Sequence, residues 1–299
     1  MTTHALLRAQ ILEVWDAGRV DLIDTNYAEN VVDHMPIAGQ LTGRAAMKEV
    51  VRHFRAALPD MKMELHGTLA CGELGVDWWT LTGTHTGALG DLAPTNRAVE
   101  FAGIDMVRVA GGRITDVWHV EEMLRFGAQL GAPPMPVGEA LPAPLPAEDP
   151  GAGAAVPDPA LLSLTESRNL ALARRHLEQF WALGRIDLAP EIFAPDVIDL
   201  NPMEGQRPGI DGLVDLVGWL RDAAPDLAMR VECYVPQGEY VGDRWTLHGT
   251  HTGAPLLGLP AKGRAFAFGG MDVVHFRDDG LIDRVFHVEE FTRLRAAIG

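Results

Sequence analysis

An internal duplication runs through almost the whole of this sequence. WTLTGTHTG at 79–87 returns as WTLHGTHTG at 245–253, with eight of nine positions identical. Upstream, WDAGRVDLIDTNYAENVVDH aligns with WALGRIDLAPEIFAPDVIDL at the same offset of 166 residues, and HVEE at 119–122 aligns with HVEE at 287–290 after two one-residue insertions. A repeat of about 130 residues is the size of one domain with its own core. The sequence therefore predicts two tandem copies of one fold.

The copies are joined by a stretch that is rich in alanine, proline and glycine and shows no apolar periodicity. We predict a first domain over residues 1–131, a linker over 132–160 and a second domain over 161–299. An extended linker of about 3 Å per residue would reach tens of ångströms. This length lets the two domains pack as an intramolecular pseudo-dimer, and a homo-oligomer is also compatible with the sequence.

Composition limits the classes of partner. A formal net charge of −16 disfavours nucleic acid and anionic membrane surfaces, both of which are bound by basic side chains. The N-terminal segment lacks the basic and apolar blocks of a secretory signal, and the apolar runs are too short to span a bilayer. The two cysteines, Cys71 and Cys233, do not occupy equivalent positions, so a disulfide framework is not expected. These features favour a cytoplasmic protein.

Periodicity predicts the α+β class. Each copy opens with apolar residues spaced three and four apart, as in HALLRAQILEVWDAG, and a second helical pattern ends at Pro59 or Pro225. Strand-like segments follow, which in the first copy are VDWWTLTGTHTG, VEFAGIDMVRV and RITDVWHVEEM. Helices followed by consecutive strands indicate an α+β domain with an antiparallel meander.

Alternation along the strands places the candidate site residues, because residues i and i+2 share a face. Each predominantly apolar face carries one ionisable side chain, and the six across the two copies are His85, Asp105, Glu122, His251, Asp272 and Glu290. If the three strands are neighbours, the groups of each copy could converge on one concave face. His119 and Glu121 have the opposite parity to Glu122 and are predicted to face the helices, a neighbouring domain or solvent, as are His287 and Glu289.

The run GTHTG, then PTNR, then GIDMVRVAGGRI, and Trp118 with Glu122 four residues on resembles the SnoaL-like polyketide cyclases, also called ester cyclases. The resemblance covers most of each copy. It implies a nuclear transport factor 2-like cone, in which a curved antiparallel sheet and N-terminal helices enclose an apolar pocket. It also implies a cofactor-free intramolecular aldol closure of a polyketide ester, with a last-strand carboxylate as general acid/base. That position corresponds to Glu122 and Glu290, where the family more often has aspartate.

Burial in an apolar pocket would raise the pKa of such a carboxyl group toward neutrality. A base with a pKa near 7 can deprotonate an acidic carbon and return the proton to the developing alkoxide. Glu122 and Glu290 are the candidate bases, and the aspartates and histidines named above are candidate donors to the enolate oxygen. The competing interpretation is structural. The glutamates could pair with a nearby arginine, the histidines could hold the strand end, and the aspartates could be partners of those histidines.

Differences between the copies and the positions of the aromatic residues suggest a pocket lining. The residues predicted to contact a substrate are Trp79, Trp118, His34, Asn201, Arg244, Trp245 and Phe286. No HExxH motif, cysteine pair or P-loop occurs, and no GxGxxG lies at a strand–helix junction, so neither a metal nor a nucleotide cofactor is predicted.

The hypothesis that these features favour is a cofactor-independent enzyme acting on a hydrophobic, polyketide-like small molecule. The reaction would be an aldol-type cyclisation or a related isomerisation, dehydration or epoxide opening, since one fold hosts many reactions. The alternative is a non-catalytic protein that binds or senses an apolar molecule in the same cones. The sequence does not show whether one copy or both copies are active.

Overall fold

The computed structural model describes residues 1–35, 42–132 and 150–299. The chain divides into two units, Met1–Glu139 and Ala140–Gly299, and each unit carries one five-stranded sheet. The α+β class and the tandem arrangement predicted from the duplication are therefore confirmed.

The first unit begins with a helix whose N-terminus is capped by the Thr2 hydroxyl, which accepts the Ala5 N–H. A π-helical segment, Ala9–Asp16, continues that helix. The last helix of the unit ends where Gly131 adopts a left-handed conformation. In chain order the elements are α1 (Thr3–Arg8), α2 (Ile23–Asn26), β1 (Tyr27–Asp33), α3 (Gly43–Ala57), β2 (Lys62–Cys71), β3 (Leu74–Thr84), β4 (Ala98–Ala110), β5 (Arg113–Glu121) and α4 (Met123–Leu130).

The second unit repeats this order. Its first helix starts at a capping box, in which Ser163 and Glu166 each bond the other's backbone N–H. A π-helical segment, Arg175–Trp181, continues that helix. The elements are α5 (Leu164–Arg174), α6 (Ala189–Ile192), β6 (Phe193–Asp199), α7 (Gly209–Ala223), β7 (Ala228–Gln237), β8 (Tyr240–His251), β9 (Arg264–Phe276), β10 (Ile282–Glu289) and α8 (Phe291–Ile298).

Each sheet contains the predicted antiparallel meander and adds one parallel pair at its edge, which the sequence did not predict. The strand orders are β1-β5-β4-β3-β2 and β6-β10-β9-β8-β7. β1 is parallel to β5, and β6 is parallel to β10, whereas the other neighbours are antiparallel. The parallel strand precedes α3 or α7 and reaches the sheet edge through a long crossover, which antiparallel hairpin reasoning does not anticipate.

Part of the predicted linker belongs to the second unit. Most of it, residues 133–149, lies outside the described residues. From residue 150 onward the chain bonds the edge strand β7: the Ala155 N–H donates to the Glu232 carbonyl at 2.8 Å, and the Tyr234 N–H donates to the Ala155 carbonyl at 3.1 Å. The proline- and alanine-rich composition of this stretch therefore could not show that its last residues bond to the edge of a sheet.

Each unit packs its helices over one face of its sheet. We call this the inner face; it carries Trp79 and Leu81 in the first unit and Trp245 and Leu247 in the second, all buried in apolar clusters with the helices. Among the described residues, no helix is both long and apolar enough to cross a membrane.

Candidate active site

The two glutamates expected to act as bases are tied to backbone and arginine groups. Glu122 lies just after β5, and its Oε2 accepts the Ala102 N–H at 2.8 Å and lies 3.2 Å from Arg125 Nη1. Glu290 repeats the arrangement: Oε2 accepts the Gly269 N–H at 2.8 Å, and Oε1 accepts Arg293 Nε at 2.9 Å. These contacts join the last strand to the following helix, which is the structural interpretation weighed above.

This arrangement predicts unequal stability effects for two matched variants. Glu290→Gln should destabilise the protein by about 1 to 3 kcal/mol, because it weakens charge-assisted bonds whose side chains are only 13% and 9% exposed. Glu122→Gln should cost less than about 1 kcal/mol, because Arg125 is 46% exposed. Urea unfolding of the two full-length variants measures the difference. Equal losses would contradict the burial argument.

The predicted histidines hold the loop that follows the first long strand. His85 is buried, and its Nδ1 lies 3.1 Å from the Thr95 hydroxyl and accepts the Thr95 N–H at 3.2 Å. His251 is also buried and bonds the Ala254 carbonyl through Nε2 at 2.9 Å. His85 lies eight residues beyond Asp77, the cross-strand partner of Asp105, which is about 26 Å along an extended strand. The structure thus does not bring His85 to Asp105.

A row of ionisable side chains instead crosses three neighbouring strands on the inner face. In the first unit Asp77 pairs with Asp105, which pairs with His119. In the second unit the corresponding row is Asp243, Asp272 and His287. The predicted aspartates are therefore on the expected face, but their neighbours are different from those expected.

The two carboxyl groups in each row are buried side by side. Asp77 and Asp243 are fully buried, and Asp105 and Asp272 are 5% and 4% exposed. Burial and the neighbouring carboxyl group raise the pKa of Asp77 and of Asp243 well above the ordinary value. Burial also raises the pKa of Asp105 and of Asp272 to about 7. Each pair thus holds at least one proton at neutral pH.

The histidine in each row is held between two carboxylates. His287 Nδ1 donates to Glu289 at 2.6 Å, and Nε2 donates to Asp199 at 3.0 Å. His119 makes the same bonds to Glu121 and Asp33, at 2.7 and 3.1 Å. Burial alone would lower the pKa of either histidine, but the carboxylates outweigh it and raise the pKa well above the ordinary value. Both rings are therefore imidazolium ions at neutral pH.

His119, Glu121 and their counterparts lie on the face that the helices cover, which is one of the orientations predicted for them. The same face carries the row, whereas the sequence placed the side of β5 with Trp118, Val120 and Glu122 toward the site. The reason is that both faces of β5 carry apolar side chains: Val117 lies beside His119 on the inner face, and Val120 is buried on the other. Alternation in hydrophobicity therefore did not identify the inner face of this strand.

The inner face of the second unit borders a cavity. The empty space in this cavity, counted together with the open solvent at its mouth, is about 550 Å³. Its apolar wall includes three tryptophans, Trp181, Trp219 and Trp245, and its polar wall consists of Asp272, His287 and Glu289. Glu290 is not part of this lining. A small apolar site with a few convergent polar groups is typical of small-molecule binding.

The residues predicted to contact a substrate fall in different places. Trp245 lines the cavity, and Trp79 is its buried counterpart in the first unit. Asn201 donates a hydrogen bond to the His287 carbonyl at 2.8 Å. The other four are not on the inner face. Trp118 stacks on His34 with ring centroids 4.4 Å apart, whereas Arg244 and Phe286 alternate with the inward-facing Trp245 and His287.

Sequence reasoning missed six carboxylates of the two rows and their flanks. They are Asp33, Asp77, Glu121, Asp199, Asp243 and Glu289. Each has an identical counterpart at the equivalent position of the other copy. This identity between the copies is the sequence signal that could have identified them. Within the described ranges there is no cluster of three or more His, Cys, Asp or Glu side chains arranged to hold a metal ion.

The sequence model of the SnoaL-like polyketide cyclases matches residues 5–130 and, a second time, residues 171–298. The chain belongs to this family. Comparison of this SnoaL-like protein with curated proteins gave no match. Among solved structures it is similar to a candidate polyketide cyclase from Bacillus cereus ATCC 10987, at 31% identity over 40% of this chain and 73% of that one, with a TM-score of 0.35.

Two further solved structures are similar to parts of the chain. A candidate polyketide cyclase from Acidithiobacillus ferrooxidans is 26% identical over 44% of this chain and 98% of its own, with a TM-score of 0.37. IdmH, a candidate polyketide cyclase from Streptomyces antibioticus, is 25% identical over 44% of this chain and 100% of its own, with a TM-score of 0.39.

Proposed function

We propose that this SnoaL-like protein is a cofactor-independent enzyme that performs general acid/base catalysis on a hydrophobic, polyketide-like small molecule. The reaction is an aldol-type cyclisation or a related isomerisation, dehydration or epoxide opening. One observation carries the proposal: Asp272 lines an aromatic cavity and has a pKa of about 7. A carboxyl group with this pKa can take up and return a proton at neutral pH.

The chemistry follows from the row of side chains. Ionised Asp272 takes a proton from a carbon next to a carbonyl group, and the electron pair of the C–H bond moves onto the carbonyl oxygen as an enolate. The enolate carbon attacks a second carbonyl, and the resulting alkoxide takes the proton back from Asp272. His287 is the cross-strand neighbour of Asp272, and its positive charge stabilises the negative charge that develops in the cavity.

Glu289 has a supporting role in this proposal. Its Oε1 accepts the His287 Nδ1 proton at 2.6 Å, so it fixes the ring and sustains its charge. The comparison with Glu290, one residue further on, is informative because Glu290 bonds the Gly269 backbone and Arg293 instead. Variants at Glu289 and Glu290 therefore distinguish catalysis by the Asp272 row from catalysis by Glu290, the base expected from the sequence.

The test uses an aryl β-keto ester as the probe. Exchange of its acidic C–H in D₂O is followed by proton NMR, and ring-closed product is followed with a di-keto analogue. Glu289→Gln should lower the exchange rate by about 10- to 100-fold, and Glu290→Gln by no more than a few-fold. If Glu290→Gln loses exchange activity and Glu289→Gln does not, the base is a glutamate at the Glu122 and Glu290 position rather than Asp272.

The binding alternative has its own signature. If the protein only holds an apolar molecule, the probe binds with a measurable Kd by calorimetry, but the exchange rate stays at the uncatalysed value for wild type and both variants. Wild-type exchange at the background rate across a panel of aryl β-keto esters would contradict the catalytic proposal.

A further inference from the structure

One connecting segment contributes to the wall of the cavity in the second unit. The described residues that line the cavity lie on helices and strands, with the single exception of Met203. Met203 is half-buried and lies between β6 and α7. We call residues 200–206 of this connection the strap. Since connecting segments are less firmly packed than the elements they join, the strap is the part of the wall that a ligand displaces at the lowest cost.

The strap ends in a β-turn that Gln206 closes twice. The Gln206 N–H donates to the Met203 carbonyl at 3.0 Å, and the Gln206 Oε1 accepts the Met203 N–H at 3.0 Å. Gly205 occupies the third position of this turn with a φ of 80°, the left-handed conformation that a type II turn requires there. The backbone position of Met203 is therefore fixed by Gln206.

Gln206 also joins this turn to the charged row. Its Nε2 donates to Asp199 Oδ2 at 2.8 Å, and Asp199 accepts His287 Nε2 at 3.0 Å. At the start of the strap, the Asn201 N–H donates to Asp199 Oδ1 at 2.9 Å, and the Asn201 side chain donates to the His287 carbonyl at 2.8 Å. Both ends of the strap are thus bonded to a pair of side chains that are only 8% and 9% exposed, and hydrogen bonds to an ionised acceptor are the stronger kind.

The residues of this network recur in the first copy. The pattern D-x-x-P-x-x-G-Q occurs at 33–40 and again at 199–206. Residues 36–41 lie outside the described residues, but the part before them is the same: Asp33 Oδ1 accepts the Met35 N–H at 2.9 Å and lies 3.1 Å from His119 Nε2. The link between the strap and the row is therefore a property of the repeated domain.

We propose that the strap closes the cavity over an aromatic substrate, that Met203 sets the size of the ring system the cavity accepts, and that Gln206 is the positioning residue that holds Met203 in place. An unbranched thioether adapts its shape and packs well against the edge of an aromatic ring, whereas the side chains of the packed core have little freedom to move. The proposal rests on the proposed function for the nature of the substrate, but it is tested by ligand affinity and not by turnover.

The test compares a phenyl and a naphthyl β-keto ester as ligands of the full-length protein at pH 7. Calorimetry gives the Kd of each, and the ratio of the two Kd values measures the selection for size. Met203→Ala removes most of the side chain, so it should shift this ratio about tenfold in favour of the naphthyl ester. Met203→Trp narrows the cavity and should shift the ratio in the opposite direction.

A second pair of variants tests whether Gln206 acts through Met203. Gln206→Met keeps the length of the side chain but loses both of its hydrogen bonds, so it should shift the ratio in the same direction as Met203→Ala. The double variant Met203→Ala/Gln206→Met should shift it no further than Met203→Ala does, because the side chain that Gln206 positions is already absent. The control is Glu204→Gln, at an exposed position of the same strap, where the ratio should stay at the wild-type value.

Urea unfolding identifies any variant that fails to fold, and the oppositely directed Met203 variants allow either one to decide the result. An unchanged ratio in a folded Met203 variant, or a wild type that binds neither ester, would overturn the role of Met203. Fully additive shifts in the double variant would overturn the positioning role of Gln206. A wild type that binds the esters but does not exchange their C–H would reject the proposed reaction, while the affinity ratios would still decide the role of the strap.

Discussion

Asp272→Asn is expected to lower the rate of catalysed proton exchange by about 10²- to 10⁴-fold, the usual contribution of a general acid/base. Asparagine fills nearly the same space as aspartate but cannot take up the substrate proton. The loss should occur in turnover rather than in ligand affinity, since the aromatic wall of the cavity is unchanged. Steady-state exchange rates and calorimetric Kd values of the full-length variant measure the two effects separately.

The same variant should be more stable than wild type at high pH. The folded-state pKa of Asp272, about 7, is raised from 3.8, so the folded protein binds more protons than the unfolded chain between these values. Stability therefore falls as pH rises through this window. Asp272→Asn removes this penalty. It should match wild type near pH 4 and gain stability on the order of a few kcal/mol by pH 8.

Urea unfolding at pH 5 and pH 8 tests this sign. The control is Asp215→Asn on α7, where Arg207 lowers the pKa of an exposed aspartate, so no gain at high pH is expected. If Asp272→Asn loses exchange activity but gains no stability at high pH, the folded-state pKa of Asp272 is not raised by burial. A gain in stability with full activity would show that another group moves the proton.

Much of the architecture could be predicted because the duplication and the strand periodicity are local signals. Alternation along β4 and β9 placed Asp105 and Asp272 on the correct face. Alternation did not identify the inner face of β5 or β10, because both faces of these strands are packed. On β5, for example, Val117 on the face of His119 and Val120 on the opposite face are both buried. When both faces of a strand pack, period-two alternation loses its meaning.

The partners of the central aspartates could not be predicted because they come from strand register. Asp77 meets Asp105 only because β3 and β4 pair in a particular alignment, and the loop between them, residues 85–97, is too long for turn rules to fix that alignment. Asp33 reaches His119 from a parallel edge strand.

His287→Leu should destabilise the second unit by about 3 to 5 kcal/mol. His287 separates the carboxylates of Asp199 and Glu289, at 3.0 and 2.6 Å, and the side chains of His287 and Asp199 are 9% and 8% exposed. Without the imidazolium, two buried carboxylates face each other without a counter-charge. The leucine fills a similar volume, so the loss reports charge rather than a cavity.

The pH dependence of this loss has a definite sign. The folded-state pKa of His287 is raised above 6.5, so its contribution is complete below pH 6.5 and disappears as pH rises through the raised value. The pKa of Asp199 is lowered from 3.8, so its contribution is complete above pH 4 and disappears at lower pH. The difference between wild type and His287→Leu should therefore be largest between about pH 4 and 6.5.

A variant without any of the three charges distinguishes the effect of charge pairing on stability from the effect of lost contacts. Asp199→Asn/His287→Leu/Glu289→Gln removes the whole triad and should be more stable than His287→Leu alone near pH 6, because no unpaired charge remains buried. Urea unfolding between pH 4 and 9 compares the three proteins. If the triple variant is the least stable at every pH, the triad stabilises the fold through its hydrogen-bond geometry, and the electrostatic account of the row is wrong.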